Sequence, residues 1–435
     1  MKYYSLNRRS PAVDFRKAAI SGQAPDKGLY FPEKIPSIEP SFFEGIDRMP
    51  DLDIAMHVMQ PYTEGVIPEE VLSRILAETI DFPIPLVRIS GDISSLELFH
   101  GPTLAFKDIG ARFMSRCLGY FSKDRSGKVT VLVATSGDTG GAVANGFYGV
   151  DGVEVVILYP SGKVSNVQEK QLTTLGNNIH ALEVEGSFDD CQRMVKEVFA
   201  DVELNSRLFL TSANSINIAR WLPQQLYYFL AYKQWKQANS EAPVIAVPSG
   251  NFGNICAGLL AHVSGLPVEH FIAACNANKV VPEFLNSGDY KPLKAIATLS
   301  NAMDVGDPSN FVRVLELFGH EFLRLRGILS GYSITDEETR DTIRELYRNE
   351  HYLADPHGAV GYLALKKYLQ NKGSGKGFFL ETAHPVKFHD IVELLIGKPV
   401  PVPASIQGIL ANQKRSIKLA NDVSALKQYL MEKLD

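Results

Sequence analysis

VLVATSGDTGGAVANGF, Val131 to Phe147, is the stretch whose reading decides the fold. An apolar, β-branched run stops at Thr135. Ser136-Gly137-Asp138-Thr139-Gly140-Gly141 then makes a tight turn, and a helix follows. VIAVPSGNFGNICAGLLA has the same form. Its strand ends near Val247, Ser249-Gly250-Asn251-Phe252-Gly253-Asn254 turns, and a helix begins at about Asn254. Strand, turn and helix in this order build a parallel sheet.

Outward from these units the pattern continues. KVTVLVAT (Lys128–Thr135), VEVVILYP (Val153–Pro160), NIHALEVEG (Asn178–Gly186), RLFLTSA (Arg207–Ala213) and APVIAVPSG (Ala242–Gly250) are predicted strands. Helical stretches such as DDCQRMVKEVFAD, Asp189–Asp201, lie between them. Strands that are apolar throughout belong to sheets covered on both faces. EHFIAACN, TDEETRDTIRELYRN, AVGYLALKKYLQ and GKGFFLETA extend the alternation. Before it, EEVLSRILAETI (Glu69–Ile80) has helical spacing, and Ala24 to Pro40 is rich in proline and glycine. The expected fold class is α/β. A helical N-terminal segment spans 1–90, a smaller α/β domain 91–215 and a larger one 216–435.

The 435 residues exceed what one hydrophobic core usually holds. With 45% apolar and 21% charged residues, the composition is that of a globular protein. A net charge of -5 argues against nucleic acid as a partner, which selects for basic stripes. No apolar run follows the charges of MKYYSLNRRSPAVDF, and none is long enough to span a membrane. A cytoplasmic protein with no membrane partner is expected. Cys117, Cys191, Cys256 and Cys275 are scattered and fit buried thiols in a reducing compartment. GSGKG, Gly373–Gly377, reads as a flexible turn; Gln370 stands where a P-loop needs glycine. His384 and His389 lack metal-ligand spacing, so no metal is assigned. No G-x-S-x-G elbow suggests a serine hydrolase.

The two glycine-rich turns carry the chemical signal. Glycines let backbone approach a ligand closely. The helix N-terminus then offers free N–H groups and a dipole that favour an anion. Neither turn is the G-x-G-x-x-G dinucleotide fingerprint. A tight βα connection explains either one alone; two together make two anionic groups more plausible. HGPTLAFKDIG, His100–Gly110, adds Lys107. Most lysines are solvated surface charge, but LAF before this one allows a partly dry pocket that would lower its pKa. Pyridoxal phosphate (PLP) needs an anion cradle, a lysine and a group to set the ring electronics. Asn214, Ser215 and Arg220 follow a strand end and could bind an anion, although taken alone a capped helix start with its arginine in solvent is the favoured reading. Thr382 ends a strand, where a satisfied hydroxyl is the ordinary reading.

Ten blocks in order resemble the threonine synthases, PLP enzymes of the tryptophan synthase β-like fold (fold type II). They are SLNRRSPAVDFRKAAISGQAPDKGLYFPE, HGPTLAFKD, TSGDTGGA, YPSGKVSNVQEKQLTTLG, EGSFDDCQ, NSIN-AR, PSGNFGN, GDPSNF, DPHGAVG and ETAHPVKF. The resemblance implies that Lys107 carries PLP. It implies that Gly250, Asn251, Phe252, Gly253 and Asn254 cradle the PLP phosphate, and that Thr382 meets the pyridine nitrogen. Ser136, Gly137, Asp138 and Thr139 would hold the substrate carboxylate and approach the PLP 3′-oxygen. Asp138 and that oxygen are both acceptors, so a direct contact needs a proton or water between them. Asn214, Ser215 and Arg220 would bind the substrate phosphate, with Lys163 a further anion ligand. The implied reaction takes O-phospho-L-homoserine and water to L-threonine and phosphate, in a monomer or homodimer. A phosphohomoserine phospho-lyase, a threonine dehydratase or cysteine synthase of the same fold, and a non-catalytic binding protein are the alternatives. The N-terminal block and NSIN-AR favour the synthase.

Overall fold

Strands form where the sequence is apolar on both faces. All eight residues of Val153–Pro160 and all six of His270–Cys275 are buried, as a sheet with helices on both sides requires. The computed structural model describes residues 1–123 and 127–434. Among these residues the chain builds two parallel-rich sheets and an antiparallel ribbon of Tyr3–Ser5 with Tyr30–Pro32.

The smaller sheet runs in the order Ile417–Leu419, Ile179–Val184, Val153–Pro160, Val129–Ala134, Phe209–Thr211, and every pair is parallel. The larger runs Leu329–Ser333, His270–Cys275, Val244–Pro248, Gly377–Glu381, Ile93–Glu97, Leu86–Ser90. Only its last pair is antiparallel. Each predicted strand contains one of these. Predicted helices form too: Glu69–Thr79, Phe188–Ala200 and Asp336–Asn349. Ser187 with Asp190, and Thr335 with Glu338, close capping boxes at the last two. All four cysteines are buried and free.

Sheet membership crosses both expected boundaries. Leu86–Ser90 lies in the expected helical segment but forms an edge of the larger sheet. Ile93–Glu97 lies in the expected smaller domain but pairs in register with Gly377–Glu381. Ile417–Leu419 returns from the far end of the chain to the smaller sheet. Parallel neighbours are joined by long crossovers, so proximity along the chain does not reveal their pairing.

Backbone pairing continues past the ends of these two strands. Leu98 N–H donates to Glu381 O at 2.9 Å, Phe106 N–H to Thr382 O at 2.9 Å, and His384 N–H to Leu104 O at 3.0 Å. The helix Lys107–Ser122 then begins. Lys107 and Thr382, far apart in sequence, are thereby held on adjacent chain segments.

Arg313 ties the N-terminal ribbon to this core. It is fully buried, stacks 4.5 Å from the Trp221 ring, and donates to Tyr30 O, Ile216 O and Asn310 Oδ1 at 2.9, 2.7 and 2.8 Å. Removing the guanidinium strands three acceptors, two of them buried. Arg313→Met is expected to lower unfolding free energy by about 3 kcal/mol, read as an earlier urea midpoint. A midpoint equal to the parent's would show that the clasp contributes little.

Candidate active site

A cleft of ≈ 730 Å³ opens between the two sheets' glycine-rich turns. The first turn follows Val129–Ala134. Thr135 Oγ1 accepts from Gly137 N–H at 3.0 Å and Gly140 N–H at 2.8 Å, which fixes the loop into the helix Asp138–Phe147. Gly137 has φ +143, and a Cβ there would stand 2.5 Å from Gln168 Cδ. No side chain fits. Ser136 and Thr139 line the cleft, while Gly137 and Asp138 are buried behind them.

The second turn follows Val244–Pro248 and enters the helix Gly253–Val263 through Phe252, which is left-handed at φ 61. All five residues Gly250 to Asn254 line the cleft. A Cβ on Gly250 would lie 2.7 Å from Met303 Cα. The first N–H groups of a helix lack intrahelical partners. Here a side chain adds another donor: Tyr228 O–H donates to Asn254 Oδ1 at 2.8 Å, and the buried Asn254 Nδ2 has no partner among the described residues.

Asn214, Ser215 and Arg220 reach the same cleft. Asn251 Nδ2 donates to Ser215 Oγ at 2.7 Å, so this segment touches the second glycine turn. Arg220 is buried. Its Nη1 donates to Ala213 O, but its Nε has no partner. Burial lowers its pKa to about 10, and Asp108 opposes this from a distance. A buried cation with a spare donor is costly unless an anion completes it.

Lys107 is the lysine at the floor of the cleft, and its side chain is 18% exposed. Burial lowers its pKa, and the charges of Lys387 and Arg220 add to that, against the opposing pull of Asp138. The dry-pocket expectation for Lys107 fits this placement: its Nζ lies 5.6 Å from the Phe106 ring centroid, and little of its side chain reaches solvent. Thr382 also lines the cleft, and its hydroxyl has no protein partner among the described residues. A cradle of N–H groups, an unpartnered amide donor, a desolvated lysine and a free hydroxyl fit the phosphate, aldehyde and ring nitrogen of PLP.

Lys163 is not at this site. It is exposed on the turn after Val153–Pro160 and does not line the cleft; Lys196, on Phe188–Ala200, lines it instead. The sequence reading missed three further groups. Lys387 is fully buried and pairs with Asp138 at 2.8 Å. Gln168 Nε2 donates to Asp138 Oδ1, also at 2.8 Å. Together with Lys107 they hold the Asp138 carboxyl well below the usual range, although burial alone would raise it. His357 lines the cleft, donates through Nδ1 to Asp355, and accepts from Ala302 N–H at 3.2 Å. The blocks ETAHPVKF and DPHGAVG contained Lys387 and His357, but nothing local marks a lysine or histidine as buried.

Comparisons with known proteins agree with this geometry. Residues 88–378 match the family described as "Pyridoxal-phosphate dependent enzyme". Residues 2–80 match "Threonine synthase N terminus", and residues 358–430 "Threonine synthase, C-terminal". The chain is 45% identical to the threonine synthase of Escherichia coli (strain K12), covering 99% of each. It is 43% identical to that of Haemophilus influenzae, over 99% of this chain and 100% of the relative. The solved structure of a PLP-bound threonine synthase from Brucella melitensis superposes with a TM-score of 0.93 at 35% identity, covering 100% of this chain and 99% of that one. The fold is therefore fold type II, the cofactor is PLP, and the chain belongs to the threonine synthase family of PLP-dependent enzymes.

Proposed function

We propose that this cleft takes O-phospho-L-homoserine and water to L-threonine and phosphate. The observation that carries the substrate is the pair of anion-ready groups, on separate chain segments, opening onto one cleft with Lys107. One suits the cofactor phosphate. The other, around Arg220, is left for a second phosphate.

When bound here, PLP supplies an electron sink for charge that builds beside the substrate amine. Lys107 Nζ anchors it and, when free, is the base positioned to take and return protons at the substrate carbons. The lowered proton affinity of this amine favours its unprotonated, basic form. The N–H groups of Gly250 to Asn254, with Asn254 Nδ2, bind the cofactor phosphate. Thr382 Oγ1 is the neutral partner of the ring nitrogen and does not enforce its protonation. Ser136, Gly137 and Thr139, at the start of Asp138–Phe147, hold the substrate carboxylate against that helix's dipole. Asn214, Ser215 and Arg220 hold the substrate phosphate and stabilise its charge as it departs. A cytoplasmic protein acting as monomer or homodimer completes this reading; the four free cysteines suit a reducing compartment.

A phospho-lyase that omits water addition would release 2-oxobutyrate, so product analysis separates the two; 2-oxobutyrate in place of threonine sinks the synthase reading. Lys107→Ala is expected to cut threonine formation by at least about 10³-fold, with an unchanged far-UV CD spectrum. Normal turnover would remove Lys107 from its role. Arg220→Met is expected to raise KM for O-phospho-L-homoserine about tenfold or more, the scale of a lost hydrogen bond to a charged group. An unchanged KM would place the substrate phosphate elsewhere.

A further inference from the structure

Lys387 has no part in the chemistry above, yet its placement needs a cause. It lies on the short helix Pro385–Phe388, just after Thr382, with its side chain wholly buried. A buried ammonium is unfavourable unless it is paired and hydrogen-bonded. Lys387 Nζ meets both conditions. It lies 2.8 Å from Asp138 Oδ1 and donates to Thr103 O at 2.7 Å.

Asp138 is shared. Its other oxygen, Oδ2, lies 3.9 Å from Lys107 Nζ, beyond hydrogen-bond distance. One carboxylate thus stands between two lysines, and the closer one is not the lysine that lines the cleft. In a poorly hydrated site the contact pair takes most of the carboxylate's stabilisation. The charged groups that face Lys107 are Asp138, Lys387 and Arg220, two cations against one anion. Lys387 is faced by Asp138, by buried Asp108, and by His384. Asp108 is occupied by Thr103 N–H and Oγ1. Burial lowers the His384 pKa to about 4, which leaves that ring neutral at physiological pH. With both lysines protonated the cluster carries excess positive charge. Lys107, lacking a contact partner, is the one that sheds its proton most easily.

We propose that Lys387 is a positioning residue for Lys107: it keeps Asp138 as its own counterion, and so leaves the Lys107 amine free to lose its proton. This rests on the reading that Lys107 carries PLP.

The test uses the holoenzyme and follows the visible absorption of the lysine-bound cofactor as a function of pH. Lys387→Met removes the competing cation and leaves Asp138 to Lys107. The midpoint is expected to rise by about one pH unit. Lys387→Arg, which keeps the charge, should restore a midpoint close to the parent's. Asp138→Asn should move it the opposite way, because Lys387 then faces Lys107 without a counterion. A merely structural role for Lys387 would weaken cofactor retention without this pattern of signs. An unmoved midpoint in Lys387→Met with the band retained overturns the proposal. If Lys387→Met does not fold, Asp138→Asn decides alone: a midpoint that stays or rises overturns it. A parent holoenzyme without any visible band would overturn the Lys107–PLP reading itself, and the proposal with it.

Discussion

Parallel pairing of Ile93–Glu97 with Gly377–Glu381 is the constraint on which the site depends. Strand register leaves one degree of freedom, sliding, and a shift by one residue would turn every side chain to the opposite face. Buried Leu96 and Leu380 oppose such a slip. The pairing runs on through Glu381–Leu98, Thr382–Phe106 and Leu104–His384. Leu104 adopts φ 57 where the segment bends into the helix. A leucine held there carries backbone strain that only surrounding structure can sustain. Here that structure is the strand end bearing Thr382. Tyr227 O–H adds a bond to Phe106 O at 2.6 Å. The backbone on either side of Lys107 is thus fixed mainly by main-chain contacts to the Thr382 segment.

The buried polar groups divide into distinct kinds. Arg313 is satisfied by three protein acceptors and one ring, and it serves stability. Arg220 and Asn254 keep unpartnered donors at the cleft. Protein interiors seldom leave donors unpaired, and each one costs roughly 1–3 kcal/mol. The cost is tolerable where a ligand repays it on binding. Glu381 shows a third kind, in which burial works against the charged form. Burial, reinforced by the facing charge of Asp355, pushes its carboxyl well above the usual range, and Asp355 N–H donates to it at 2.7 Å.

Local chemistry was legible in the sequence; long-range burial was not. The two glycine turns are short-range features, since a strand, a turn and a helix N-terminus lie within about a dozen residues. Both stand where the pattern put them. Ile93–Glu97 escaped notice because Ser94 and Ser95 break its apolar run, although it sits inside the larger sheet. Leu86–Ser90 has no buried residue and Ile417–Leu419 only one, so neither carries a core signature. Lys163 and Lys387 fail in opposite directions. Both are lysines in family-like blocks, yet one is solvated and the other wholly buried. A lysine's burial depends on the carboxylate that meets it, and Asp138 opens a helix that follows a strand of the other sheet, in a distant part of the chain.

That dependence also bears on the conflict of acceptors at Asp138. A carboxylate aimed at a ring oxygen would need a proton or water between them. The carboxylate instead commits one oxygen to Lys387 and Gln168, and turns the other toward Lys107. Its contact partner is Lys387, and Lys107 stands beyond hydrogen-bond distance of it. Thr382 and Lys387 follow the same strand, Gly377–Glu381. One strand end thus carries both the cleft-lining hydroxyl of Thr382 and the buried cation that pairs with Asp138. On the roles proposed for Thr382 and Lys387, displacing that strand end would disturb the electronics of the cofactor and the proton affinity of its lysine together.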